Sequence, residues 1–129
     1  MKAKILLVED NEQNRYLTSF LLVGRGHEVI AATSGSIALE LAGEVMPDLI
    51  LLDIQLPGMD GHAVARALKS DPRFARVPIV AVTSYAMVGD REKAFAAGAE
   101  GYIEKPINPE TFVDEVERFL GPRPVEVQP

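Results

Sequence analysis

Residues 48–61, DLILLDIQLPGMDG, decide the architecture of this chain. Leu49-Ile50-Leu51-Leu52 is an unbroken apolar run of strand length, the mark of a strand covered on both faces. Asp53 ends it, Leu56-Pro57-Gly58-Met59 has the composition of a turn, and Asp60 can cap a following helix. The same pattern recurs on either side: Ile5-Leu6-Leu7-Val8 precedes Glu9 and Asp10, Ile79-Val80-Ala81-Val82 precedes Thr83, and Tyr102-Ile103-Glu104 precedes Lys105. If these runs are parallel neighbours, three carboxylates, a hydroxyl and an ammonium meet in one crevice, where open α/β sheets place their ligands. Such a site suits a divalent cation and phosphate chemistry on a carboxylate.

Helix-like segments separate the runs, giving five βα units. The first strand is expected near 3–8, and its helix runs from Glu12 to the Gly24-Arg25-Gly26 breaker, with Leu17 and Leu21 inward and Tyr16, Phe20 and Val23 outward. A second strand at 27–32 leads to a helix capped by Ser34, carrying Ile37, Ala38, Leu41 and Val45 and stopped by Pro47. After the central strand, a helix bearing Val64 and Leu68 ends near Asp71-Pro72, and 78–82 form the fourth strand. A short Ala-rich helix at 90–97 ends at Gly98, and 101–104 form the fifth strand. Asn108 caps the last helix, with Pro109 in its first turn and Phe112, Val113, Val116, Phe119 and Leu120 on its apolar face. Residues 1–121 are expected to form one domain and 122–129 a Pro-rich tail.

The 129 residues are 47% hydrophobic and 25% charged, enough for one core without disulfides or a structural metal. No apolar stretch has the length of a membrane span, and the start Met1-Lys2-Ala3-Lys4-Ile5 lacks the apolar region of a signal peptide. The absence of cysteine excludes disulfide and thiolate chemistry and makes the cytoplasm the expected location. A net charge of −6 without a Lys/Arg cluster argues against direct nucleic-acid binding.

Val8-Glu9-Asp10-Asn11, the run from Leu51 through Gly61, Val82-Thr83-Ser84 and Lys105-Pro106 together resemble the receiver domain of two-component response regulators. The resemblance spans roughly 2–120, and Val8-Glu9-Asp10-Asn11 with Ala86-Met87 is similar to the stand-alone, DivK-like members. It implies a flavodoxin-like, doubly wound parallel sheet of five strands in order 2-1-3-4-5 with five helices, and its site at the strand carboxyl ends. With no output domain visible in these residues, signalling is expected to pass to another protein.

Asp53 is the expected phosphoacceptor, since a carboxylate can attack phosphorus if positive charge offsets its repulsion from the phosphoryl oxygens. Magnesium prefers oxygen ligands and keeps several waters, so Asp10 and Asp53 are expected as direct ligands with Glu9 acting through water. The resemblance adds the Gln55 backbone carbonyl as a ligand. Lys105 is expected to contact one phosphoryl oxygen and Thr83 to donate to another, while small Ser84 keeps the approach open. The resemblance further implies a cis Lys105-Pro106 peptide, and a switch in which Tyr102 turns inward as Thr83 moves toward phosphate. Gln55 and Tyr85 occupy the positions that flank water's approach in receivers; neither carries charge, so slow self-dephosphorylation is expected. The expected partners are a sensor histidine kinase or histidine phosphotransfer protein upstream and a regulated protein downstream.

Plainer roles exist for each residue taken singly. Glu9 and Asp10 could cap the first helix, Thr83 could be an ordinary strand residue, Lys105 a surface charge and Tyr102 a half-buried strand aromatic. His27 and His62 lack neighbours at metal-binding spacing and read as structural or solvated. Competing functions fit less well. Haloacid dehalogenase-like phosphatases place an acid two residues after the nucleophile, where Gln55 stands here, so turnover of external substrates is not expected. Glu9 and Asp10 would repel the phosphate of a flavin. A phosphorylation-independent adaptor would keep all its partner effects in an Asp53→Ala protein.

Overall fold

A computed structural model describes residues 2–56, 58–84 and 88–120. Five parallel strands, β1 (Lys4–Val8), β2 (Glu28–Ala32), β3 (Leu49–Asp53), β4 (Ile79–Thr83) and β5 (Gly101–Glu104), form one sheet in the order β2-β1-β3-β4-β5. The helices are α1 (Glu12–Gly24), α2 (Gly35–Val45), α3 (Gly61–Lys69), α4 (Asp90–Ala96) and α5 (Phe112–Leu120). A 3₁₀ turn at Pro72–Phe74, absent from the sequence reading, brings Phe74 into the core and is capped by Asp71. The tail 122–129 lies outside the described residues.

Alternate side chains of each strand feed opposite layers. Leu6, Val8, Ile50, Leu52 and Ala81 pack with Ala38, Ala42, Val64, Leu68 and Ala94 from α2, α3 and α4. Ile5, Leu7, Leu49, Leu51, Val80 and Val82 pack with Leu22 of α1 and Phe112, Val113, Val116 and Leu120 of α5. Every residue of β3 and β4 is buried, as expected for strands covered on both faces.

Two helix faces depart from expectation at one residue each, Leu17 and Ile37, while Leu21, Ala38 and Leu41 pack on the core and Tyr16, Phe20 and Val23 face outward as expected. On α1 the buried pair is Thr18 and Leu22; Leu17 is exposed and Leu21 only half-buried. Thr18 in the middle of the buried stripe masks its polarity contrast, so hydropathy alone turns the helix toward Leu17. On α2, Ile37 is exposed while Gly35, Ala38 and Ala42 are buried, because small residues let the helix approach the sheet and α3 closely. Ser34 and Asp60 cap α2 and α3 through their side chains as expected. Asn108 closes a turn rather than the helix proper: its side chain accepts from Glu110 N–H and its carbonyl from Thr111 and Phe112 N–H, and α5 starts at Phe112.

His27 is structural. Its buried ring accepts the Ala3 N–H at Nδ1 (3.0 Å) and lies 2.7 Å from Glu117 Oε2 through Nε2, tying the start of β1 to α5. The hydrogen bond accepted at Nδ1 requires an unprotonated nitrogen there, so Nε2 carries the proton and donates to Glu117. His62 is half-buried, with Nδ1 3.5 Å from Asp60 Oδ1.

Candidate functional site

The order of strands brings the polar residues together. Val8 pairs with Leu52 and Asp53 with Val82, which sets Glu9, Asp53 and Thr83 at nearly one height across three adjacent strands. Backbone bonds continue past the strand ends, from Ile54 N–H to Val82 O (2.9 Å) and from Lys105 N–H to Thr83 O (2.7 Å). The Lys105-Pro106 peptide is cis, as the receiver resemblance implied.

Carboxylate oxygens of Glu9, Asp10 and Asp53 lie within 4.8 Å of one another. Asp10 is exposed, whereas Glu9 and Asp53 are buried. Asn11, not the acidic pair, caps α1 by accepting from Asn14 N–H (2.9 Å), which leaves Glu9 and Asp10 available to the crevice. Glu9 Oε2 accepts from Asn11 N–H (3.2 Å) and Glu9 Oε1 from Lys105 Nζ (2.6 Å). Lys105 Nζ reaches Asp53 Oδ2 only at 3.5 Å, so the lysine is bound more closely to Glu9 than to Asp53. Asp53 Oδ1 accepts from Gln55 N–H at 2.9 Å.

Burial, with the neighbouring Glu9 charge behind it, raises Asp53 to about 6, against the opposing Gln55 N–H and Lys105. Three crowded carboxylates with one ammonium leave negative charge uncompensated, and oxygen-only donors at this spacing fit a small hard dication such as magnesium. An arriving cation would favour the ionised form of Asp53.

Two features escape a reading by strand ends. Arg15 donates to the carbonyls of Glu9 (3.1 Å) and Asp10 (3.3 Å), holding the loop that carries both acids; a helix arginine four residues after the cap gives a weak signal at best. The Gln55 side chain spans two strands, its Nε2 donating to Thr83 Oγ1 and its Oε1 accepting from Ser84 N–H (3.0 Å). Gly61 opens α3 against the site: a Cβ there would come within 2.6 Å of Ile54 Cα and 2.8 Å of the Asp53 carbonyl oxygen.

A cavity of about 80 Å³ adjoins Glu9, Asp53 and Lys105 and continues beneath Asn14, Leu17 and Thr18 of α1. Tyr102 is half-buried on β5 in register with Ala81, and burial followed by the Asp90 charge pushes its phenol up. It lines a groove of about 440 Å³ with Arg91, Glu104, Glu115, Arg118 and Phe119. Tyr85, Ala86 and Met87 lie outside the described residues.

Residues 5–117 match the response regulator receiver domain family. The chain belongs to that family. This receiver is 44% identical over 121 residues to the polar-differentiation response regulator DivK of Brucella ovis, covering 94% of this chain and 98% of the relative. The fold superposes on the chemotaxis protein CheY4 of Vibrio cholerae with a TM-score of 0.87, at 31% identity over 92% of the receiver and 99% of CheY4. It also matches the receiver domain of a sensor histidine kinase from Pseudomonas aeruginosa, with a TM-score of 0.86 and 34% identity over 94% of this chain and 99% of that one. That structure has a magnesium ion coordinated in its active site cleft. No helix among the described residues of this receiver is long and apolar enough to cross a membrane.

Proposed function

We propose that this receiver is a stand-alone phosphoacceptor switch: Asp53 takes a phosphoryl group from a histidine of a sensor kinase or phosphotransfer protein, and the changed surface alters binding to a downstream protein. The observation that carries this reading is the meeting of Glu9, Asp10 and Asp53 within 4.8 Å, beside Lys105. The stand-alone arrangement is supported by the DivK relative, 98% of whose length is matched. The cytoplasm is the compartment where such partners would be met.

In the transfer, the donor's N–P bond breaks as an Asp53 oxygen bonds to phosphorus, and the departing imidazole takes a proton from solvent. Asp10, Asp53 and the Gln55 carbonyl would hold magnesium, with Glu9 acting through water. The ion would supply positive charge to offset repulsion between Asp53 and the phosphoryl oxygens. Lys105 would turn from Glu9, its 2.6 Å partner, toward a phosphoryl oxygen, and Thr83 would donate to another. The half-buried Tyr102 ring and its groove between α4, β5 and α5 would carry the change to the surface.

Acetyl phosphate with magnesium should add one phosphoryl group to the wild type at Asp53, and chelation with EDTA should prevent it. Intact-mass and peptide spectrometry read the result. Equal modification of an Asp53→Asn protein would overturn the assignment.

A further inference from the structure

Gln55 engages two groups at the end of β4 with one side-chain amide. Ser84 N–H is a backbone donor, so the atom facing it at 3.0 Å must be the amide oxygen. That fixes the orientation of the amide and turns Nε2 toward Thr83 Oγ1, which therefore accepts from it. Gln55 also starts from the phosphoacceptor's own backbone: its N–H binds Asp53 Oδ1, and the Asp53–Val82 register places Thr83 and Ser84 directly beyond. The amide thus bridges from the end of β3 to the end of β4, over donors that an anion on Asp53 would seek.

We propose that the Gln55 side chain is a resting-state latch, its amide oxygen holding the Ser84 N–H and its amide nitrogen the Thr83 hydroxyl until a phosphoryl group on Asp53 displaces it. This rests on Asp53 being the phosphoacceptor. The latch makes Gln55 a positioning residue with a definite cost: the Ser84 N–H must leave the amide oxygen before it can donate to a phosphoryl oxygen, and the Thr83 oxygen, which accepts from the amide nitrogen, must leave it as the residue moves toward the phosphoryl group. It also separates two roles of one residue, because the backbone N–H serves Asp53 and the backbone carbonyl would serve the metal site in any variant, whereas the amide acts on Thr83 and Ser84. Carrying no charge, the amide can hold these groups in the resting state without adding a fourth negative charge beside the three carboxylates.

The test compares wild type with Gln55→Ala, which removes the side chain, and Gln55→Met, which keeps its length without the amide. Equilibrium binding of fluoroberyllate with magnesium, a phosphoryl mimic that cannot be hydrolysed, is followed by calorimetry. Both variants should bind it about thirtyfold more tightly than wild type, the worth of two ordinary hydrogen bonds after exchange with water. Without the mimic, the Ser84 amide hydrogen should exchange faster with solvent in both variants. Unchanged or weaker binding in both overturns the latch, and so does tighter binding in Gln55→Ala alone, which would assign the effect to bulk. If wild type binds no fluoroberyllate and takes no phosphoryl group from acetyl phosphate, the phosphoacceptor reading falls and the latch with it.

Discussion

Removing the charge of Asp53 should stabilise the metal-free protein. Asp53 is buried at the end of β3, against Glu9, and its carboxyl is held at about 6 rather than 3.8, mainly by burial and secondly by the Glu9 charge. Ionising it at neutral pH therefore costs the fold on the order of 2 kcal/mol once solvent screening at the open side of the crevice is allowed for. Asp53→Asn keeps the shape and an oxygen that can accept the Gln55 N–H, yet removes that cost. In EDTA at pH 7 the variant should be more stable by about 1 to 2 kcal/mol, a rise in thermal midpoint of roughly 5 °C. The sign follows from proton binding: between about 4 and 6 the native state holds the Asp53 proton more tightly than the unfolded chain, so the wild type loses stability as pH rises through this window. The variant lacks this loss, and the two proteins should converge near pH 4. Magnesium should narrow the gap at pH 7, because under the proposed function it would bind the native wild type through the carboxylate that the variant lacks. Urea unfolding followed by circular dichroism at pH 4 and pH 7, with EDTA or with magnesium, measures all four conditions. A variant no more stable than wild type at pH 7 in EDTA would refute the reasoning.

The exposed Tyr16 and Phe20 rings stack on α1 with centroids 6.2 Å apart, and with Val23 they form an apolar patch on the helix that borders the crevice. Replacing both aromatics with Ser should slow transfer from the cognate histidine donor and leave labelling by acetyl phosphate unchanged; equal transfer rates would remove the patch from donor docking. Tyr85 lies outside the described residues, and the receiver resemblance alone puts it at a position flanking water's approach; on that expectation Tyr85→Ala should shorten the lifetime of the phosphorylated form, measured as phosphate loss after donor removal. No acceleration would reject it. Gly61→Ala should cost about 1 to 3 kcal/mol in urea unfolding, since its Cβ would press on the backbone of Asp53 and Ile54 rather than on a movable side chain. It should also slow acetyl phosphate labelling, and unchanged stability would show that α3 can shift freely.

The local grammar of the fold was legible in the chain. Uninterrupted apolar runs marked β3 and β4 as strands buried on both faces, and Ser34 and Asp60 marked two helix starts. Each depends on a few adjacent residues, so propensity and capping chemistry suffice. The polar residues at the strand ends were legible for the same reason, as were the motifs that mark the receiver family. Helix orientation was less so: Thr18 took a core position that hydropathy would give to Leu17, because what buries a side chain is the distance to the sheet and not its own polarity. Tertiary structure alone decided which strand ends meet at one height, and hence that Lys105 lies closer to Glu9 than to Asp53 and that the Gln55 amide reaches Thr83 and Ser84. It also decided the raised Asp53 proton affinity, which burial and a carboxylate on a neighbouring strand create together. These contacts join residues far apart in the chain, and their geometry is set by strand register and layer packing, which no short window of sequence encodes.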